Sequence, residues 1–467
     1  MLGGKKELSQ LTPVFRFQDA DLVPSEILFL CSITEDKLFA VIESEESELS
    51  YIVKGQKKGE EVKDVLHLAS LERYSMIEKE IAEFNKKSKE FRIEIKEYGN
   101  CEDPVQSFLI DLASGTEFDL VEFPSEETDK LVSKEIFADL YPFIDNDTVL
   151  QRDDFYENML KAFEYDGKLY QTISCAHMYG WVAKRSQLDQ FGQWGVDSLR
   201  EYLEENPNAN IFIDTSGEDI LQEMVLVSSS ELMDWSQKSC NFESDTFLNI
   251  MELAKQYGTN RASITSQDRV PALLDNRLLF VETPISIETF CAYNKVLQGD
   301  MAVVTSPFSG REGVNLYTDM PQIGIIEKSK HRDGAWQFAR LFFTKQGYVY
   351  FDTESEGFPV RKDRMEDLLR IYTATEEFEL DGTLHPAMTP DDYSYGWDGF
   401  DIELGWIDKD VEEQLRGLFS NASQKQEIDS VIKEIILEES KPYFAGEKDA
   451  EEVAKIIQGR VTTYMNE

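Results

Sequence analysis

Flat rings and carboxylates are the residues of this chain whose types could do chemistry. Tyr179 and Trp181 alternate around Gly180, Trp397 and Trp406 bracket an acidic stretch around Asp398, and Phe123 ends a run beside Glu122 and Glu126. Rings of this kind stack on the apolar C–H faces of sugars, and neighbouring carboxylates accept hydroxyl hydrogens. Each ring has an equally ordinary use in core packing, and each carboxylate an ordinary use as solvated surface. Trp235 and Trp336 lie within helical patterns and read as scaffold.

No nucleophile or general base is marked out. The chain has no G-x-S-x-G, no H-E-x-x-H and no glycine-rich phosphate loop. With 90 acidic residues, chance pairs of carboxylates carry no information about acid–base catalysis. The four histidines are scattered: His67 in a strand and His331 in a turn read as structural, His385 as a loop residue before Pro386, and His177 stays a candidate for ligand contact. Cys31, Cys101, Cys175, Cys240 and Cys291 show no C-x-x-C spacing, which argues against a disulfide framework or a zinc site. They read mostly as buried thiols. No catalytic residue, metal site or cofactor is expected.

The formal charge is −43, from 47 basic and 90 acidic residues. Nucleic-acid binding needs a basic surface, so that class is set aside. The acidity reads as a solvated surface, with attraction of a cationic solute as the sharper alternative. No run is long and apolar enough to span a bilayer.

These residues need elements to position them. At 467 residues, two or three domains are expected. Residues 1–64 hold three short β-like runs, Ile27–Leu30, Leu38–Ile42 and Leu49–Val53, separated by polar turns. They predict a small antiparallel appendage, similar to part of a β-propeller blade. A β-α-β-α-β rhythm follows: Val65–Ala69, a helix over Leu71–Lys89, Phe91–Tyr98, a helix from Pro104 to Leu112, then Phe118–Phe123. That rhythm predicts a mostly parallel sheet with helices on both faces. Ligands of such sheets bind beyond the carboxyl ends of strands, which singles out the loop holding Ser125 and Glu126. Further on, 220–257 reads as helical, 278–281 as a strand, and 282–288, with Ser286, as the loop after it. A helix is expected over 365–378, a loop over 393–406, and helices over 427–439 and 449–466.

The most informative block is Met320–Asp363. Ile323-Gly324-Ile325-Ile326 is a short buried strand, and Lys328-Ser329-Lys330-His331 a turn. Ala335, Trp336, Phe338, Ala339, Leu341 and Phe342 then recur at helical spacing, and Gly347 could stop the helix. Gly357-Phe358-Pro359-Val360 is extended, because proline pushes its predecessor out of the helical region. This order resembles the "strand, S-K-N/H, A-W-x-F, G-x-P" block of family 1 extracellular solute-binding proteins, the maltose-binding-protein-like receptors of bacterial ABC importers. The resemblance covers about Val65 to Glu467. Gly167-Lys168-Leu169-Tyr170 resembles the family's run into its first hinge, with Ser174 or Cys175 where proline is common. Tyr443–Gly446 and Ile456–Val461 resemble the C-terminus of such receptors from gut Firmicutes.

The resemblance implies an α/β, two-lobed, type II periplasmic-binding-protein-like fold behind the N-terminal β segment. Lobe one would comprise 65–177 and 304–357, and lobe two 178–303 and 358–467, with crossings near 175–182, 303–312 and 355–361. It implies a sugar or oligosaccharide captured between hinged lobes and presented to ABC permease subunits. The expected ligand-binding set is Phe123, Ser125, Glu126, His177, Tyr179, Trp181, Ser286 and Trp397. An exported, surface-attached monomer is expected, tethered by an N-terminal lipid anchor that this chain does not include. Two other readings stay open: a glycan-acting enzyme or glycan-adhesion module built on the N-terminal segment, and a receptor for a polyamine or other cation.

Overall fold

The computed structural model describes residues 27–34, 37–42, 50–53, 63–72, 77–192, 194–213, 216–235, 237–258, 264–308, 312–318, 322–344, 357–380, 382–387, 394–397, 400–404, 407, 409–422, 424–425 and 428–466. The chain forms two compact units, residues 1–124 with 321–341, and 125–320 with 342–467.

In the first unit, β1 (Ile27–Thr34), β2 (Lys37–Ile42) and β3 (Ser50–Val53) form the antiparallel appendage in the order β1-β2-β3. The second sheet holds β4 (Asp64–Ser70), β5 (Phe91–Glu97), β6 (Leu120–Phe123) and the strand Gln322–Ile325. β4 is central and parallel to β5 and β6; the late strand returns antiparallel beside β6. The parallel β5-β4-β6 core is the mostly parallel sheet that the β-α-β-α-β rhythm predicts. Its helices follow from local chemistry. Pro104 opens one of them at the first turn, and the Asp103 carboxylate caps it by accepting from the Gln106 N–H at 2.8 Å. The helix Glu78–Lys87 starts later than the sequence pattern predicts, but it buries Ile81 and Phe84, and Phe84 meets Phe338 edge to face at 5.4 Å.

Glu122 differs from its reading as a surface or pocket carboxylate. It is fully buried in β6, and the Ser70 hydroxyl donates to it at 2.6 Å. A polar residue in a buried strand is tolerated because this partner meets it from the neighbouring strand.

The second unit is organised on one ten-residue strand, β7 (Cys175–Lys184). Four others pair with it antiparallel: β8 (Val281–Ile285), β9 (Met301–Val304), β10 (Asn315–Tyr317) and β11 (Phe358–Pro359). Two glycines are dictated by close approach. A Cβ on Gly180 would lie 2.8 Å from a Val303 methyl, and one on Gly357 would lie 2.7 Å from the Ala176 carbonyl carbon. Helices Gly217–Val227, Asp245–Tyr257, Ser430–Phe444 and Ala450–Asn466 enclose a core that includes Trp181, Trp194, Phe212 and Phe247. Residues 155–158 join this unit through the Tyr156 N–H to the Val360 carbonyl at 2.9 Å and the Asn158 amide to the Phe419 carbonyl at 2.8 Å. The expected lobe boundaries at 177, 303 and 357 all fall inside it.

Several local expectations are corrected. The 220–257 stretch is interrupted: its first helix ends at Val227, and a short strand pair, Met233–Asp234 with Ser239–Cys240, precedes the helix from Asp245. The strand expected at 278–281 runs instead from Val281 to Ile285, with Val281, Thr283 and Ile285 inward. The loop expected over 393–406 contains a hairpin, Ser394–Trp397 with Phe400–Glu403. The helix expected to reach Phe378 ends at Thr373, and Phe378 starts a strand. The thiols are less buried than expected: Cys175 is enclosed, Cys31, Cys240 and Cys291 are half-buried, and Cys101 is exposed. Gly347 lies outside the described residues.

Candidate functional site

Strand alternation puts His177, Tyr179 and Trp181 on one face of β7. Register brings neighbours to the same face, because directly opposed residues of an antiparallel pair point the same way. Tyr317 lies opposite His177, Asn315 and Pro284 flank Tyr179, and Glu282 lies opposite Trp181. The His177 and Tyr317 rings stack, with centroids 4.9 Å apart and planes 19° from parallel. Tyr179 meets Trp181 edge to face at 6.4 Å. Exposure falls along the strand: His177, Tyr179 and Tyr317 are half-buried, whereas Trp181 is 1% exposed. The result is an aromatic ledge whose inner end is anchored in the core.

The anchor is polar as well as apolar. The Trp181 indole N–H donates to a Glu223 carboxylate oxygen at 3.1 Å. Glu223 projects from the helix Gly217–Val227 and is 8% exposed. Burial pushes its carboxyl up to about 7, and the indole N–H pulls weakly the other way. Asn315 is also buried; its amide N–H donates to the Thr305 carbonyl at 2.6 Å.

A row of rings on a strand paired with four others can hold a flat apolar face. Residues 79–378, well over half of the chain, match the family described as bacterial extracellular solute-binding protein. The chain belongs to that family. Among solved structures, this solute-binding protein is similar to an ABC substrate-binding protein from Listeria monocytogenes in complex with cycloalternan, at 12% identity and a TM-score of 0.48, over 87% of this chain and 100% of that one. It is also similar to the sugar-binding protein MalE from Xanthomonas citri, at 10% identity and a TM-score of 0.49, over 86% and 97% of the two chains. A family 1 extracellular solute-binding protein from Bifidobacterium longum subsp. infantis gives 13% identity and a TM-score of 0.48, over 86% and 99%. No curated protein matches the chain.

The expected ligand-binding residues of this solute-binding protein are distributed unevenly. His177, Tyr179 and Trp181 share one strand face. Ser286 follows Ile285, the partner of Met178, and so lies at the same end of the sheet. It is a helix cap rather than a loop residue: its hydroxyl accepts from the Thr289 N–H at 3.1 Å. The hairpin that carries Trp397 packs on that capped helix, and Lys295 of the helix donates to the Glu403 carbonyl. The Trp397 side chain, with Asp398 and Trp406, lies outside the described residues. Phe123 is fully buried in β6. Ser125 and Glu126 form a single 3-10 turn, where the Ser125 carbonyl accepts from the Thr128 hydroxyl at 2.6 Å and Glu126 is exposed.

Sequence reasoning missed Tyr317, Asn315 and Glu223. The alternation Asn315-Leu316-Tyr317 was a signal for the first two, as a short strand with one polar face. Nothing local marks Glu223, whose indole partner is 42 residues away.

Proposed function

We propose that this solute-binding protein captures a sugar or oligosaccharide on the ledge of His177, Tyr179 and Tyr317 and hands it to an ABC permease. The observation that carries the reading is the stacked, half-buried His177–Tyr317 pair continued by Tyr179 on one strand face. Sugars offer apolar faces that such rings cover, and polar rims that nearby side chains can bond. The moving lobes are proposed to be 65–177 with 304–357 and 178–303 with 358–467. Their hinge would lie at β7, because β9 at the second expected crossing and β11 at the third both pair with it. Closure driven by solute contacts is then a population shift between open and closed forms. Phe123, Ser125, Glu126, Ser286 and Trp397 remain proposed contributors, and cell-surface attachment is part of the same reading.

A thermal-shift screen over mono- and oligosaccharides and polyamines tests the solute class. Sugars should raise the melting temperature, since a ligand at a hundred-fold excess over Kd adds about 2.7 kcal/mol. A shift with polyamines alone would replace the sugar reading with the cationic one. With the best sugar in hand, Tyr317→Ala should weaken binding about tenfold to a hundredfold by calorimetry, equivalent to about 1–3 kcal/mol for a lost stacking surface. The solute-free variant should lose less than about 1 kcal/mol of stability, since the ring is only half-buried. Unchanged affinity would take the site away from the ledge.

The protein is also proposed not to turn its solute over. Incubation with the same oligosaccharides should release no new reducing ends, and sustained release would restore the enzyme reading.

A further inference from the structure

Glu223 is a carboxyl group placed where an apolar residue would pack. It shares the inward face of the helix Gly217–Val227 with Ile220, Leu221, Met224 and Val225. Its carboxylate accepts from the Trp181 indole, and Trp181 belongs to β7, the strand to which four others are paired. An indole N–H needs an acceptor when buried, and a neutral amide would serve as well. A carboxyl adds the ability to ionise, at the cost of burying a charge.

The helix of Glu223 packs on helices Asp245–Tyr257, Ser430–Phe444 and Ser229–Leu232, as well as on Trp181. Burial, which raises the Glu223 carboxyl, and the indole N–H, which lowers it, are the leading influences on it. Lys255 of the first helix is engaged with the Tyr443 carbonyl at 2.8 Å, and Lys184 of β7 with the Leu274 carbonyl at 2.6 Å. Lys433 and Lys441 lie on the helix Ser430–Phe444 and Glu231 on Ser229–Leu232, and His177 is stacked on Tyr317 further along β7. An ionised Glu223 would therefore be a buried anion held by one neutral donor. Such a charge is relieved by admitting water, which means local separation of the helix from the strand.

We propose that Glu223 is a proton-operated latch on β7: neutral, it lets the helix Gly217–Val227 close over Trp181, and ionised, it admits water beside the indole and loosens that contact. Burial places the transition near neutral pH. Tyr179 rests on Trp181, so loosening reaches the ledge; that consequence for solute capture rests on the function proposed above, whereas the latch does not.

The test uses the full chain without solute. Tryptophan emission and acrylamide quenching are followed from pH 5.5 to 8.5 in the native protein and in Glu223→Gln, which keeps shape and acceptor but cannot ionise. The native protein should show a transition with a midpoint near 7, and the variant should lack it. Hydrogen exchange of residues 217–227, corrected for intrinsic rates, should be about tenfold faster at pH 8.5 than at pH 6 in the native protein only. Matching pH responses in the two proteins would overturn the latch. Should Glu223→Gln fail to fold, carbon-13 titration of the native Glu223 carboxyl decides, and a midpoint below 5.5 overturns the proposal. Sugar affinity measured at both pH values separates the two readings. A working latch with pH-independent affinity leaves Glu223 ionising as proposed and removes the ledge as the binding site.

Discussion

Trp181→Ala is expected to lower the stability of the solute-free protein by about 3–5 kcal/mol, the usual cost of removing an enclosed tryptophan. Trp181 is among the largest fully buried side chains, and its ring meets Phe212 at 5.0 Å inside the core of the second unit. It stands on β7, so the cavity would open beside the strand that pairs with β8 to β11. The substitution also strips Glu223 of its donor, and a buried carboxyl left without one adds to the loss. Trp181→Phe separates the two contributions. It keeps most of the ring and removes the N–H, and should cost about 1–3 kcal/mol. Urea unfolding followed by circular dichroism reads both. A loss under about 1 kcal/mol for the alanine variant would mean that the indole is not a packed part of the core.

Stability should fall as pH rises through neutrality. Glu223 titrates near 7 in the folded protein and near the ordinary value of about 4.3 when unfolded. Between those values the unfolded chain has released this proton and the folded chain holds it, so each pH unit costs about 1.36 kcal/mol. The group's contribution is complete below about 4.3, declines through 7, and is gone above it. From pH 5.5 to pH 8 the expected decrease is about 2 kcal/mol. Asp429 acts in the same direction, because burial raises its carboxyl despite N–H donors from Val431 and Ile432. Carboxylates held low by cations act oppositely, and only at lower pH. Examples are Glu366, which pairs with Arg416, and Asp111, which pairs with Lys96. These pairs are largely exposed and contribute little. The formal charge of −43 also favours the acidic side. Urea unfolding at pH 5.5, 6.5, 7.5 and 8.5 should trace this decline, and Glu223→Gln should flatten most of it. A native stability that climbs from pH 5.5 to 8 would contradict the assignment of a neutral Glu223 at acidic pH.

Local periodicity and turn chemistry were legible in the sequence. Alternation over Phe91–Tyr98 marked β5, observed at Phe91–Glu97, and Pro104 marked a helix start, where the structure adds the Asp103 cap. The block from Ile323 foretold a strand, a helix through Ala335 to Phe342 and an extended Gly357–Val360; the structure has a strand Gln322–Ile325, a helix Arg332–Ala339 followed by a short one at Leu341–Thr344, and the strand Phe358–Pro359. Family membership followed from the order of such blocks, since each is a local pattern. His177, Tyr179 and Trp181 were singled out by their place at the expected first crossing, and the structure puts them on one face of β7.

Tertiary structure decided the rest. The stretch 282–288 read as the loop after a strand at 278–281, yet Val281–Ile285, with Pro284 inside it, is a strand because β7 pairs with it. Glu122 and Glu223 resemble dozens of other acids in the chain. The first is buried because Ser70, 52 residues earlier, meets it across the sheet, and the second because Trp181 caps its carboxyl from β7. Tyr317 joins His177 only because β10 returns antiparallel after some 140 residues. Periodicity reports which way a side chain points along its own element. It carries no term for which distant element arrives opposite, and that arrival sets whether a carboxyl is solvated or enclosed, and whether a ring is core or ledge.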